Sequence, residues 1–178
     1  MNLLSFESLY ILIQYLLISD YYPPPGTIKL SDSTYIDQVV ITNADWKEYV
    51  MSKKSTQTNF FLPDTSLMIG NKNYYFHPKF VDFPVLGLSD SVIIEYCKWR
   101  GEFITNNLKN YDIQNSCKNL FYVNNLGKNI EVKFRKAKES ELIEAQKLGL
   151  LKQIDLSRKM NEKLFSKTFR CVATIIEK

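Results

Sequence analysis

The chain has one histidine, His77, in 178 residues. A zinc or non-haem iron site built on two or more histidines therefore cannot come from this chain alone. Its three cysteines, Cys97, Cys117 and Cys171, are too widely spaced for a zinc knuckle or a Cys-x-x-Cys redox pair. Glycine and proline number six each, which excludes a collagen-like or linker chain. Gly87, Gly101 and Gly127 stand alone, so no glycine-rich phosphate loop is present. No Gly-x-Ser-x-Gly elbow accompanies His77, which lies before Pro78 in an aromatic stretch and reads as a ring packed among rings. Arginine is scarce: Arg100, Arg135, Arg158 and Arg170 are all the arginines among 23 basic residues. Nucleic-acid surfaces lean on arginine for bidentate contacts, so no nucleic-acid partner is expected.

What the chain does have is apolar material. Hydrophobic residues make up 45 % and aromatics 13 %, enough for one sizeable core. The net charge is +4. Residues 1–130 carry 11 basic and 12 acidic groups, and residues 131–178 carry 12 and 7, so the excess is a Lys-rich, solvated C-terminal third. Leu9 to Ile18 is apolar except for Gln14. That length suits a signal-peptide core and is too short to span a bilayer. Residues 1–22 are therefore expected to be a signal peptide or anchor helix, the only part of the chain to meet a membrane. Tyr21-Tyr22-Pro23-Pro24-Pro25-Gly26 breaks any helix, and the folded domain is expected over 23–178.

Within that domain, strands are predicted at Thr27–Leu30 and Thr34–Ile41, around the turn Ser31-Asp32-Ser33. Thr42-Asn43 offers a helix cap, and Trp46, Tyr49 and Val50 follow at helical spacing. Residues 52–84 are irregular and rich in rings, which must do the packing there. Ser89 is expected to cap the longest helix. Ile93, Cys97, Arg100, Ile104 and Leu108 form one stripe of it, beside a second stripe of Val92, Tyr96, Trp99 and Phe103. Gly101 weakens that helix unless packing requires it. Leu120–Val123 and Ile130–Phe134 read as a hairpin. Glu139–Leu151 reads as a helix with Leu142, Ala145 and Leu148 inward, 152–167 as a basic loop or frayed helix, and Phe169–Ile176 as a closing strand. Interleaving without a βαβ period makes the class α+β.

Four segments resemble the sulfatase-modifying-factor domain, the family of the formylglycine-generating enzyme. Tyr35-Ile36-Asp37-Gln38-Val39-Val40-Ile41-Thr42-Asn43 is similar to its "Y-I-D-K-Y-E-V-T-N". Pro84-Val85-Leu86-Gly87-Leu88-Ser89, followed by Tyr96-Cys97-Lys98-Trp99, is similar to "P-V-V-x-V-S-W" and "Y-C-x-W". Arg135 through Ala145 keeps the Arg, the Glu139, Glu141 and Glu144 carboxylates and the Ala of "R-L-P-T-E-A-E-W-E-x-A". Phe169-Arg170-Cys171-Val172 is similar to the closing "G-F-R-C-V". The resemblance implies a compact, C-type-lectin-related fold, here truncated. Tyr75-Phe76-His77-Pro78 and Phe83-Pro84-Val85 are similar to the members tied to Bacteroidetes gliding motility and type IX secretion.

In active members about a hundred residues separate the third and fourth segments and carry two copper-binding cysteines that oxidise a substrate cysteine. Here 23 residues, 146–168, lie between Ala145 and Phe169, and none is Cys, Trp or His. No catalytic residue, metal or cofactor is therefore expected. The resemblance also implies that Cys97 and Cys171 pair, although two buried thiols in a reduced protein fit the same positions. The link would close a 75-residue loop, worth roughly 4 kcal/mol, and would need an oxidising compartment. Cys117 reads as a free thiol. The expected function is a non-catalytic binding or assembly module of the cell envelope, periplasmic or outer-membrane-associated, with a protein partner. Segments 60–83 and 152–167 would face that partner. The alternatives are a formylglycine-generating-type oxidoreductase acting on protein cysteine, and lectin-like glycan or peptide binding.

Overall fold

The computed structural model describes residues 21–53, 61–64, 73–112, 119–152 and 168–178. Four strands form one antiparallel sheet: β1 (Thr27–Ser31), β2 (Thr34–Asp37), β3 (Ile130–Lys136) and β4 (Cys171–Glu177), in the order β1-β2-β4-β3. Among the described residues four α-helices accompany it: α1 (Asn43–Ser52), α2 (Asp90–Lys109), α3 (Leu120–Asn125) and α4 (Glu139–Lys147). Among the described residues no helix is long and apolar enough to cross a membrane. The expected N-terminal segment falls almost wholly in residues 1–20, outside the described residues.

Strand alternation divides the sheet into two apolar faces. Tyr35, Cys171, Ala173, Val132 and Phe134 point to one side, into the main core with Ile93, Cys97, Ile104 and Leu108 of α2. Ile36, Val172 and Leu30 point to the other, where Ala145 of α4 covers them. Beside β2, rings take over: Trp46 of α1 lies 5.0 Å from Tyr49, 5.2 Å from Tyr96 and 6.4 Å from Phe169. The Trp46 indole N–H is satisfied by the Phe61 carbonyl at 2.8 Å.

Helix α2 shields the outer edge of β3. Thr105 Oγ1 accepts from the Val132 amide at 2.9 Å. A Cβ on Gly101 would stand 2.6 Å from the Val132 carbonyl oxygen, so only glycine permits this approach. That is the packing reason for a glycine within a helix, and it covers a strand edge that would otherwise present bare backbone.

Several boundaries depart from expectation. Residues 120–125 are a helix, not the first arm of a hairpin. Asn119 Oδ1 accepts from the Phe121 amide as its cap, and Phe121 and Tyr122 turn inward, the latter stacked 4.9 Å from Tyr111. The second strand stops at Asp37, four residues short of Ile41, because Asp37 turns into the molecule and Ile41 instead donates to the Phe169 carbonyl at 3.1 Å. The closing strand starts at Cys171, since Phe169 packs its ring on Trp46 and Tyr96 before the sheet begins. Helix α4 ends at Lys147, with Gly149 just beyond at φ +67°, and Leu148 is exposed rather than inward. Phe103 of the expected inner stripe is also exposed.

Candidate binding cleft

The sequence makes Asp37 the last residue of β2 and Arg100 the middle of α2, and the fold brings them face to face. Arg100 Nη1 lies 2.8 Å from Asp37 Oδ1 and 2.9 Å from Oδ2. Oδ2 also accepts from the Cys171 amide at 2.7 Å, and Arg100 Nη2 donates to the Pro25 carbonyl at 3.0 Å. The guanidinium carbon sits 4.3 Å from the centre of the Phe134 ring. Gly26, at φ +81°, keeps its side free for Arg100: a Cβ there would meet Nη2 at 3.2 Å. Burial pushes the Asp37 carboxyl above its ordinary value, against the pull of Arg100 and the Cys171 amide. For Arg100, burial works against the charge, but Asp37 prevails and the net direction is upward.

This pair lies in the lining of a cleft of about 420 Å³. One wall is residues 38–42; another is α2, through Tyr96, Trp99, Phe103 and Ile104. Asp45 and Glu48 of α1, both exposed, stand at its rim. The Trp99 and Phe103 rings stack at 5.4 Å and 27° along one turn of the helix.

Around the cleft the other motif residues are occupied. Thr42 caps α1 in a reciprocal box: its Oγ1 accepts from the Asp45 amide at 3.2 Å, and Asp45 Oδ2 accepts from the Thr42 amide at 2.8 Å. Asn43 is fully buried; its amide donates to the Phe83 carbonyl and its Nδ2 to the Phe80 carbonyl, both at 2.8 Å. It thereby fastens the 78–84 segment to α1, while Pro84 bridges to Thr42. Tyr96 packs against Phe169 at 5.9 Å, and burial drives its hydroxyl pKa upward. Arg170 is pushed down by burial, with Asp37 opposing.

Four motif residues lie elsewhere. Ser89 occupies the cap position of α2, but its side chain makes no cap hydrogen bond; its hydroxyl is 3.0 Å from Ser91 Oγ. Arg135 grips Glu141 through both guanidinium nitrogens, and Glu141 also accepts from the Lys138 amide at 2.8 Å, starting α4. Glu139 opens that helix, where a carboxylate favours the positive end of its dipole.

Cys97 and Cys171, both buried, are free thiols with their sulfurs 3.0 Å apart. Burial, first of all, raises the Cys171 thiol well above its usual pKa. Cys117 lies outside the described residues. His77 keeps one ring neighbour, Phe80 at 5.7 Å, but is exposed rather than buried, and its Nδ1 accepts from the Lys79 amide at 3.1 Å to cap a short 3-10 turn, Pro78–Phe80. Tyr74 and Tyr75 of the aromatic segment are core, while Phe76 is exposed. Residues 60, 65–72 and 153–167 of the surfaces expected to face a partner lie outside the described residues. Among the described residues no three His, Cys, Asp or Glu side chains converge to hold a metal ion.

The sequence reasoning missed Arg100 as the partner of Asp37, although its place on an apolar stripe of α2 was the signal: a buried charge needs an opposite charge. The fold is mixed α+β, an antiparallel sheet with helices over both faces. No protein-family model, curated protein or solved structure matches the chain.

Proposed function

We propose that the chain is a shortened, non-catalytic relative of the sulfatase-modifying-factor domain, acting as a protein-binding or assembly module of the cell envelope. The observation that supports this reading is how the motif residues are used. Asp37 is committed to Arg100 and the Cys171 amide, Thr42 to a helix cap and Asn43 to a loop carbonyl. Arg135 is committed to Glu141, and Tyr96, Trp99 and Phe169 to ring packing. These are scaffold roles, and the open cleft beside Arg100 is where a partner can be received. In an exported chain the Cys97 and Cys171 thiols lose two hydrogen atoms to the oxidants of that compartment and join, fixing β4 to α2.

The test is cross-linking of the full chain in its native envelope, followed by mass spectrometry under non-reducing conditions. A reproducible protein partner, with residues 97 and 171 joined, supports the reading. Copper binding with formylglycine formation on a sulfatase cysteine peptide would overturn it in favour of the oxidoreductase.

A further inference from the structure

The cleft has a charge opposite to that of the protein. Asp37, Asp45 and Glu48 give it three carboxylates against the one guanidinium of Arg100, formally 1 − 3 = −2, in a chain of net charge +4. Asp37 and Arg100 satisfy each other, so the excess belongs to Asp45 and Glu48 at the rim. Asp45 uses Oδ2 for both bonds with Thr42, leaving Oδ1 out of the capping box. Glu48 makes no hydrogen bond or ion pair with another described residue. The Trp99–Phe103 stack lines the same cleft as an aromatic ledge, and Phe103 keeps 42 % of its surface exposed. An apolar stem with a cationic head matches this combination: the stem lies on the rings, the head meets ring faces and carboxylates together. The volume, about 420 Å³, lies within the range of about 300–1,000 Å³ seen for ligand pockets.

We infer that the cleft receives a lysine or arginine side chain from an extended segment of the partner protein. This rests on the module reading above and names the chemistry by which the module recognises its partner. Acidic segments are repelled by Asp45 and Glu48, and neutral ones gain only the aromatic ledge. Because the carboxylates stand at an open rim, binding weakens as salt rises.

The probes are acetylated, amidated tripeptides Gly-Lys-Gly, Gly-Arg-Gly, Gly-norleucine-Gly and Gly-Glu-Gly, with butylamine as a free cation. Each is titrated into the full chain and followed by NMR at the Trp99 indole and the amides of Gly26, Gln38 and Phe103. The two basic peptides are expected to shift these signals, more tightly than norleucine, glutamate or butylamine. Glu48→Gln and Phe103→Ala each weaken the lysine peptide about threefold. Both residues are exposed, so unchanged melting temperatures serve as the folding control. Equal binding of the norleucine or glutamate peptide, shifts confined to another surface, or butylamine binding as tightly as the peptides would each overturn the inference. Envelope cross-linking separates it from the reading beneath it. If E48Q/F103A captures the same partner as the parent chain, the cleft assignment falls while the module stands. If no partner is captured yet the basic peptides bind, the module falls and the cleft stands.

Discussion

Replacing Arg100 with Met keeps much of the side-chain volume and removes the guanidinium ion-paired with Asp37. Asp37 then sits 2 % exposed with the Cys171 amide as its remaining donor. Breaking a buried pair from one side typically costs about 3–5 kcal/mol, because an uncompensated charge stays behind. The loss must depend on pH. The folded-state pKa of Asp37 already lies above its reference value of 3.8, chiefly through burial. A raised carboxyl adds stability below the unfolded pKa and loses it as pH rises through the folded one. Without Arg100 the folded value climbs further, and each extra unit is worth about 1.4 kcal/mol at neutral pH. Urea unfolding of parent and R100M at about pH 7 and about pH 4.5 reads both numbers. The deficit is expected near 3–5 kcal/mol at neutral pH and clearly smaller in acid. A deficit that is the same at both pH values, or below about 1 kcal/mol at neutral pH, would refute the buried-pair reasoning.

Two further outcomes can be checked by unfolding. Gly101→Ala gains about 1 kcal/mol of helix propensity, yet its Cβ meets the Val132 carbonyl at 2.6 Å. Overpacking costs of about 1–3 kcal/mol prevail, so the variant should melt a few degrees lower; an unchanged or higher melting temperature would show that α2 can back away from β3. The Glu141 carboxyl is held below its reference value of 4.5, first by the Arg135 hydrogen bond. Its contribution is present above the unfolded pKa and disappears as pH falls through the folded one, so Glu141→Gln should flatten the acid loss of stability below about pH 5. A parent-like acid slope would assign that loss to other groups.

How much of this was legible depended on whether local signals carried the information. The Thr42 cap and the period of α1 were readable because Trp46, Tyr49 and Val50 follow at helical offsets, and the inner stripe of α2 was readable over five turns. Leu120–Val123 misled because a four-residue apolar run suits a strand or a buried helical turn equally, and the cap at Asn119 is a single residue. The early end of β2 was not legible at all. It is set by Arg100, 63 residues away, and by the Cys171 amide, 134 residues away. The cleft itself was invisible for the same reason: its two walls come from segments that only the finished fold brings together.

The sheet order β1-β2-β4-β3 gives one of its two interior places to a strand that follows every other described element in the chain. Until residues 171–177 emerge from the ribosome, β2 and β3 have no common neighbour, and α2 has half a surface to rest on. A nascent chain arrested before Cys171 therefore lacks the strand that joins the β1-β2 pair to β3, and Ile36, Val132 and Phe134 lose their cover from β4, although α2 and α4 still pack on them. Closing the sheet waits for one long-range pairing event, the kind of contact that slows folding.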